Sequence, residues 1–115
     1  MTINELCDRA HANAKQKGFY ENGDRNFGEF IALVHSELSE ALEAARDGQG
    51  DIVSNKTRST IVGQPPKPEG VLIELADAII RIADYCGSKG WDLEHAIKLK
   101  MIYNATRSHK HGKEF

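Results

Sequence analysis

Cysteine and proline are scarce in this chain, and it contains neither a block of like charges nor a long apolar run. Cys7 and Cys86 are the two cysteines. Each falls among apolar residues of a helical pattern and reads as a reduced core side chain, which excludes a disulfide framework or a zinc site built of cysteines. The three prolines, Pro65, Pro66 and Pro68, share one stretch and forbid a continuous helix there alone. The 17 acids and 15 Lys and Arg residues leave a formal charge of −2. They are interspersed rather than blocked, which argues against a nucleic-acid arm and a membrane-surface helix. No apolar stretch reaches the roughly 20 residues of a membrane span, and no basic start precedes an apolar run, so a cytoplasmic protein is expected. Internal repeats, heptads, low-complexity runs and a glycine-rich phosphate loop are also missing.

What is present is helical periodicity. The 115 residues amount to one domain, 1–115, large enough to bury roughly 65% of its unfolded surface and too small for a second core. Thr2-Ile3-Asn4-Glu5 reads as a capping box, and a first helix follows to about Lys17, with Ile3, Leu6, Cys7, Ala10 and Ala14 on one face and Gly18 as its stop. After a connecting loop, a second helix runs from Asn26 or Phe27 to Arg46, ended by Gly48 and Gly50. The third, from about Gly70 to Cys86, is apolar almost all round, which predicts a buried position. Its polar stripe is Glu74, Asp77, Arg81 and Asp84. A fourth helix begins near Trp91 with Asp92 as cap and continues to about Arg107, followed by a basic tail. Between the second and third helices lies a long loop, Gly48 to Glu69, in which Asp51–Val53 and Thr60–Val62 are spaced to pair as a small hairpin. Loops of this length are often functional.

The acids are the informative feature. Glu37-Leu-Ser-Glu40 and Glu74-Leu-Ala-Asp77 sit inside the two most apolar helices. Residues three apart share a helix face, so each pair presents two carboxylates side by side, and two packed helices would bring four together. At about 100° per residue, Glu37 falls within the apolar arc between Phe30, Val34 and Ala41, and Glu40 falls at its edge. Burying an unpaired carboxylate costs several kcal/mol, and two acids about 4 Å apart repel by roughly 4 kcal/mol at an effective dielectric near 20. Either Arg81 and lysines neutralise them or a divalent metal does. One Arg81, four residues from Asp77, balances one acid and not four, which favours metal.

All-oxygen ligation suits magnesium, with manganese as a substitute, and magnesium commonly holds substrate phosphates. A di-iron carboxylate site would use Glu-x-x-His, a pattern this sequence does not contain; Asp8 with His11 and Asp92 with His95 are the nearest approaches. Phosphate recognition also needs cations and donors. Lys100, Asn104 and Arg107 share a face of the fourth helix, beside Tyr103.

Glu-x-x-Glu, then Glu-x-x-Asp on the next helix, then Lys-x-x-x-Asn-x-x-Arg resembles the MazG-like all-α nucleoside triphosphate pyrophosphohydrolases. The surrounding Leu33 to Ala41, Glu74 to Ile82 and Tyr103 to Arg107, with His111-Gly112-Lys113 behind, agree with that family over nearly the whole chain. The long Gly48 to Glu69 stretch departs from its pattern. The resemblance implies an all-α, four-helix, MazG-like bundle completed by oligomerisation, as a homo-dimer or tetramer, that hydrolyses a nucleoside triphosphate to monophosphate and pyrophosphate with magnesium. It implies Glu37, Glu40, Glu74 and Asp77 as metal ligands and catalytic acids, and Lys100, Asn104 and Arg107 as contacts to phosphate or sugar. For the base, Phe19 and Tyr20, in the loop before the acid helix, could stack, as could His11 or Asn13 from the first helix. His35 borders the apolar arc of the second helix, and His109 and His111 read as solvated. The rival expectation is a helical interaction or regulatory module of the same fold without turnover.

Overall fold

The computed structural model describes residues 1–55 and 63–114 and is all-helical apart from one short hairpin. Helix α1 spans Ile3–Gln16, α2 Phe27–Arg46, α3 Val71–Lys89 and α4 Leu93–Thr106, and a single 3₁₀ turn covers His109–Gly112. Three starts are set by local chemistry: Thr2 Oγ1, Asn26 Oδ1 and Asp92 Oδ1 each accept the backbone N–H three residues on, at 3.0 Å. The stops of α1 and α2 are alike. Gly18 and Gly48 adopt φ of 91° and 74°, which lets Phe19 N–H reach back to Ala14 O at 3.1 Å and Gln49 N–H to Ala44 O at 3.0 Å, satisfying carbonyls the helix leaves free.

The expected end of α3 at Cys86 is corrected to Lys89. Gly87 does not stop the helix; it lets α1 cross, since a Cβ there would collide with the Cys7 carbonyl. The hairpin also differs from expectation. Strand β1 (Val53–Asn55) pairs antiparallel with β2 (Lys67–Glu69), Val53 opposite Glu69 and Asn55 opposite Lys67, and the expected partner Thr60–Val62 lies outside the described residues.

Helix α3 is the centre of the fold, packed on α1 along one side and on α2 along another. The α1–α3 seam is built from small side chains, Cys7, Ala83 and Cys86, with Ile3, Leu6, Ala10, Ile82 and Leu93 around them. Both cysteines are free, and burial first of all pushes both thiols up, leaving them protonated and inert at neutral pH. At the α2–α3 seam Ala41, Ala44 and Ala78 are buried, and Phe30 stacks on Tyr85 at 4.2 Å between ring centres.

Helix α4 departs from the expected bundle. Its first turn is tied to α1, where Ile3 N–H donates to Glu94 Oε1 at 3.0 Å and Asn4 Nδ2 donates to Asp92 Oδ1 at 2.9 Å. None of its residues is buried, and Met101 and Ile102 are about two-thirds exposed. Nor is α3 covered on every side, as its composition predicts: Leu72, Leu75, Ile79 and Ile80 are all exposed. Within one chain there are too few helices to enclose it. No helix among the described residues is long and apolar enough to cross a membrane.

Candidate metal and substrate cleft

Side-by-side packing of α2 and α3 brings the two acid pairs together. Glu37 is buried at 7% exposure, and one carboxylate oxygen each from Glu37, Glu74 and Asp77 lies within 4.8 Å of the others. Glu40 is exposed and stands outside that triad, but its carboxyl is near enough to Glu74 to push that group up. All four acids thus form one continuous patch.

The electrostatics follow from this crowding. Desolvation first, then the nearby Glu40 carboxyl and the charges of Asp77 and Glu37, push the Glu74 carboxyl up to about 7. Asp77 is raised by desolvation and by Glu37, against the opposing pull of Arg81 and Lys67. Glu74 and Asp77, both raised by burial and by neighbouring acids, fit a hard divalent cation, which would supply positive charge through oxygen ligands alone.

Arg81 does not take the partner its spacing suggests. Its Nε donates to Glu37 Oε1 at 2.8 Å, across the helix interface, and Asp77 on its own helix feels it only through space. Lys67, brought to the acids by β2, is a second cation near Asp77. It lines a shallower, acidic hollow with Glu40, Glu43, Asp47, Glu69 and Glu74. Nothing in the helical periodicity points to Lys67, because it comes from the hairpin.

Beside the triad, α1, α2 and α3 enclose a cleft of about 330 Å³. Glu37, Asp77 and Arg81 belong to its lining, with Ala10, Ala14 and Ile80 as apolar walls and Asn13, Phe19, Arg25 and Asp84 as further members. Phe19 is 62% exposed, so it fronts the cleft instead of filling the core. Tyr20 does not line it. Its hydroxyl donates to Asp84 Oδ1 at 2.8 Å and its ring stands edge-on to His11 at 4.7 Å. His11 Nδ1 is 3.2 Å from the same oxygen, so Asp84 gathers both. His35 is exposed and outside the lining.

The fourth-helix residues are elsewhere. Lys100, Asn104 and Arg107 are not among the residues lining the cleft of their own chain; the Lys100 and Arg107 cations sit over the Tyr103 ring, 5.0 and 5.5 Å from its centre. Asn104 Oδ1 is buried with no hydrogen-bond partner. Sequence spacing also leaves Arg25 and Asp84 unassigned as functional residues. Asp84 is legible only as the end of the polar stripe on α3, and Arg25 has no periodic signal because it belongs to a loop.

Fold and site together define a class: an all-α, four-helix protein with a carboxylate-lined cleft between its second and third helices. No family model, curated protein or solved structure matches this chain.

Proposed function

We propose that this chain is a magnesium-dependent nucleoside triphosphate pyrophosphohydrolase of the MazG-like type, converting its substrate to the monophosphate and pyrophosphate. The observation that carries the reading is the convergence of Glu37, Glu74 and Asp77 within 4.8 Å at the wall of a nucleoside-sized cleft. These three would hold the ion. Magnesium, with manganese as a substitute, supplies charge for phosphate oxygens and polarises the phosphoryl group. Glu40, exposed and linked to Glu74, is the acid placed to orient water or accept its proton. Arg81 and Lys67 add positive charge to the same region, where negative charge gathers on phosphoryl oxygens.

The reading includes a homo-oligomer, a dimer or a dimer of dimers. Leu42, Ile79, Leu99 and Ile102 are each more than half exposed, and apolar patches of that kind mark interaction surfaces. A neighbouring subunit would bring Lys100, Asn104 and Arg107 to the phosphates and give Asn104 Oδ1 the partner it lacks within the chain.

A second reading draws on the Arg81–Glu37 ion pair, which occupies a carboxylate that a metal would need. In that case the chain is a metal-free helical interaction or regulatory module. A panel of ribo- and deoxyribonucleoside triphosphates assayed for pyrophosphate release with magnesium separates the two. Release that stops with chelator supports the enzyme; no release from any of them, by protein that binds no magnesium, supports the module.

A further inference from the structure

The cleft holds residues for which the acids give no account. Arg25 lines it with Asn13 and Phe19, its guanidinium 5.6 Å from the Phe19 ring centre and 6.0 Å from that of Tyr20. It lies 3.5 Å from Asp84 Oδ2. Asp84 is itself buried, 6% exposed, and its other oxygen accepts from Tyr20 and contacts His11. Burial first, and then the bond to Asp84, hold the Tyr20 phenol above its ordinary range, so it stays a donor. One carboxylate on α3 thereby ties down α1 through His11 and the connecting loop through Tyr20 and Arg25. A long side chain anchored in this way loses its rotamer freedom before any ligand arrives.

We propose that Arg25 reads the nucleobase of the substrate and selects bases that present a carbonyl oxygen, with Asp84 as the positioning residue that holds it in the cleft. The inference rests on the nucleotide reading above. A cleft of about 330 Å³ accommodates a nucleoside and not its triphosphate tail as well, so with the phosphates at the acids the base falls to the remaining lining. A guanidinium is donor only. The Asp84 contact engages one of its five N–H groups, and the others need acceptors such as guanine O6 and N7 or the pyrimidine carbonyls. Adenine alone among the common bases has no carbonyl. Asp84 offers no remedy, because its oxygens are engaged by Tyr20, His11 and Arg25 and do not serve adenine's amino group. Adenine's N7 can accept one N–H, but the amino group beside it meets the guanidinium as a second donor, and an arginine donor left unpaired in that way in a narrow cleft costs affinity, while the Phe19 ring provides a face for any base.

The test uses the full chain. Binding of GMP, UMP and AMP is measured by calorimetry beside steady-state pyrophosphate release from the triphosphates. Wild type is expected to favour GMP and UMP over AMP by about tenfold or more. Arg25→Gln should reduce that ratio to within about twofold, Asp84→Asn should act in the same direction, and Tyr20→Phe should act more weakly. In turnover, KM for carbonyl-bearing substrates should rise more than kcat falls, a split that a merely structural loss would not produce. Should Asp84→Asn fail to fold, Arg25→Gln and Tyr20→Phe carry the test. Hydrolysis that treats all bases alike, or a preference untouched by Arg25→Gln, overturns the inference and leaves the pyrophosphohydrolase reading standing. Base-dependent binding without any hydrolysis does the reverse.

Discussion

Arg81 Nε and Glu37 Oε1 meet at 2.8 Å across the α2–α3 interface, joining a cation on one acid-bearing helix to the most buried acid of the other. The pair divides the acids into two kinds. Glu37 is compensated in the metal-free protein; Asp77 and Glu74 are crowded by like charge.

Substitutions at Glu37 and Asp77 should therefore agree in activity and part in stability. Either Glu37→Gln or Asp77→Asn is expected to bring turnover to background, since each removes a carboxylate of the proposed metal site. Without metal, Asp77→Asn relieves repulsion from Glu37 and should raise Tm by a few degrees. Glu37→Gln strands Arg81, itself about a third exposed, and should cost about 1 kcal/mol. Thermal melts in chelator beside magnesium titrations decide this; Tm shifts of the same sign would contradict the charge assignment.

Glu74 sets a pH dependence of unusual sign. Its folded-state carboxyl is pushed from the ordinary 4.5 to about 7, so between those values the folded chain binds more protons than the unfolded one. Its contribution to stability is complete below the lower value and is lost as pH rises through the upper one. Chelated protein is expected to lose Tm between about pH 5 and about pH 8, and Glu74→Gln should flatten the slope. Magnesium should reverse the trend, because the ion competes with the proton and binds better as pH rises.

Oligomerisation predicts a further pair of outcomes. Light scattering should return at least twice the 12.8 kDa chain mass. Ile102→Asp, on the uncovered part of α4, should shift the population to monomer and lower activity with it, as expected when an apolar contact surface gains a charge. An active monomer at micromolar concentration would remove the basis for a shared site.

Much of the fold is legible in the sequence wherever the governing interaction is local. Thr2, Asn26 and Asp92 announce helix starts because a cap acts three residues away. The acid pairs announce a shared face because periodicity is local too. Long-range choices were hidden. The third helix reads as ending at about Cys86 but runs on to Lys89, with Gly87 as a crossing point for α1; Arg81 reads as the partner of Asp77 and bonds Glu37, because helical spacing describes only a residue's own helix. Arg25 and Lys67 reach the site from a loop and a hairpin, where no period marks them. The apolar residues of α4 are spread around its axis, and among the described residues Leu99, Met101 and Ile102 are left exposed.

The position of Lys100, Asn104 and Arg107 yields the last prediction. Within one chain they stand apart from the cleft, so if they hold phosphate they do so in a neighbour's site. Arg107→Ala should lose a charge-assisted contact and lower kcat/KM without weakening magnesium binding; Lys100→Ala should do the same more mildly. Asn104→Ala should reduce kcat/KM if a neighbouring substrate occupies its unpaired Oδ1, and lower Tm alone if a neighbouring helix does. Mixing decides where the site lies. When Asp77→Asn and Arg107→Ala chains are co-expressed, half the dimers are mixed, and a site shared between subunits is intact once in each. About a quarter of wild-type activity should return from two variants that are separately impaired. Mixed dimers confirmed by mass spectrometry that regain nothing above the two variants' mean would show that the acids and α4 do not meet across the interface, and that the polar face of α4 serves structure alone.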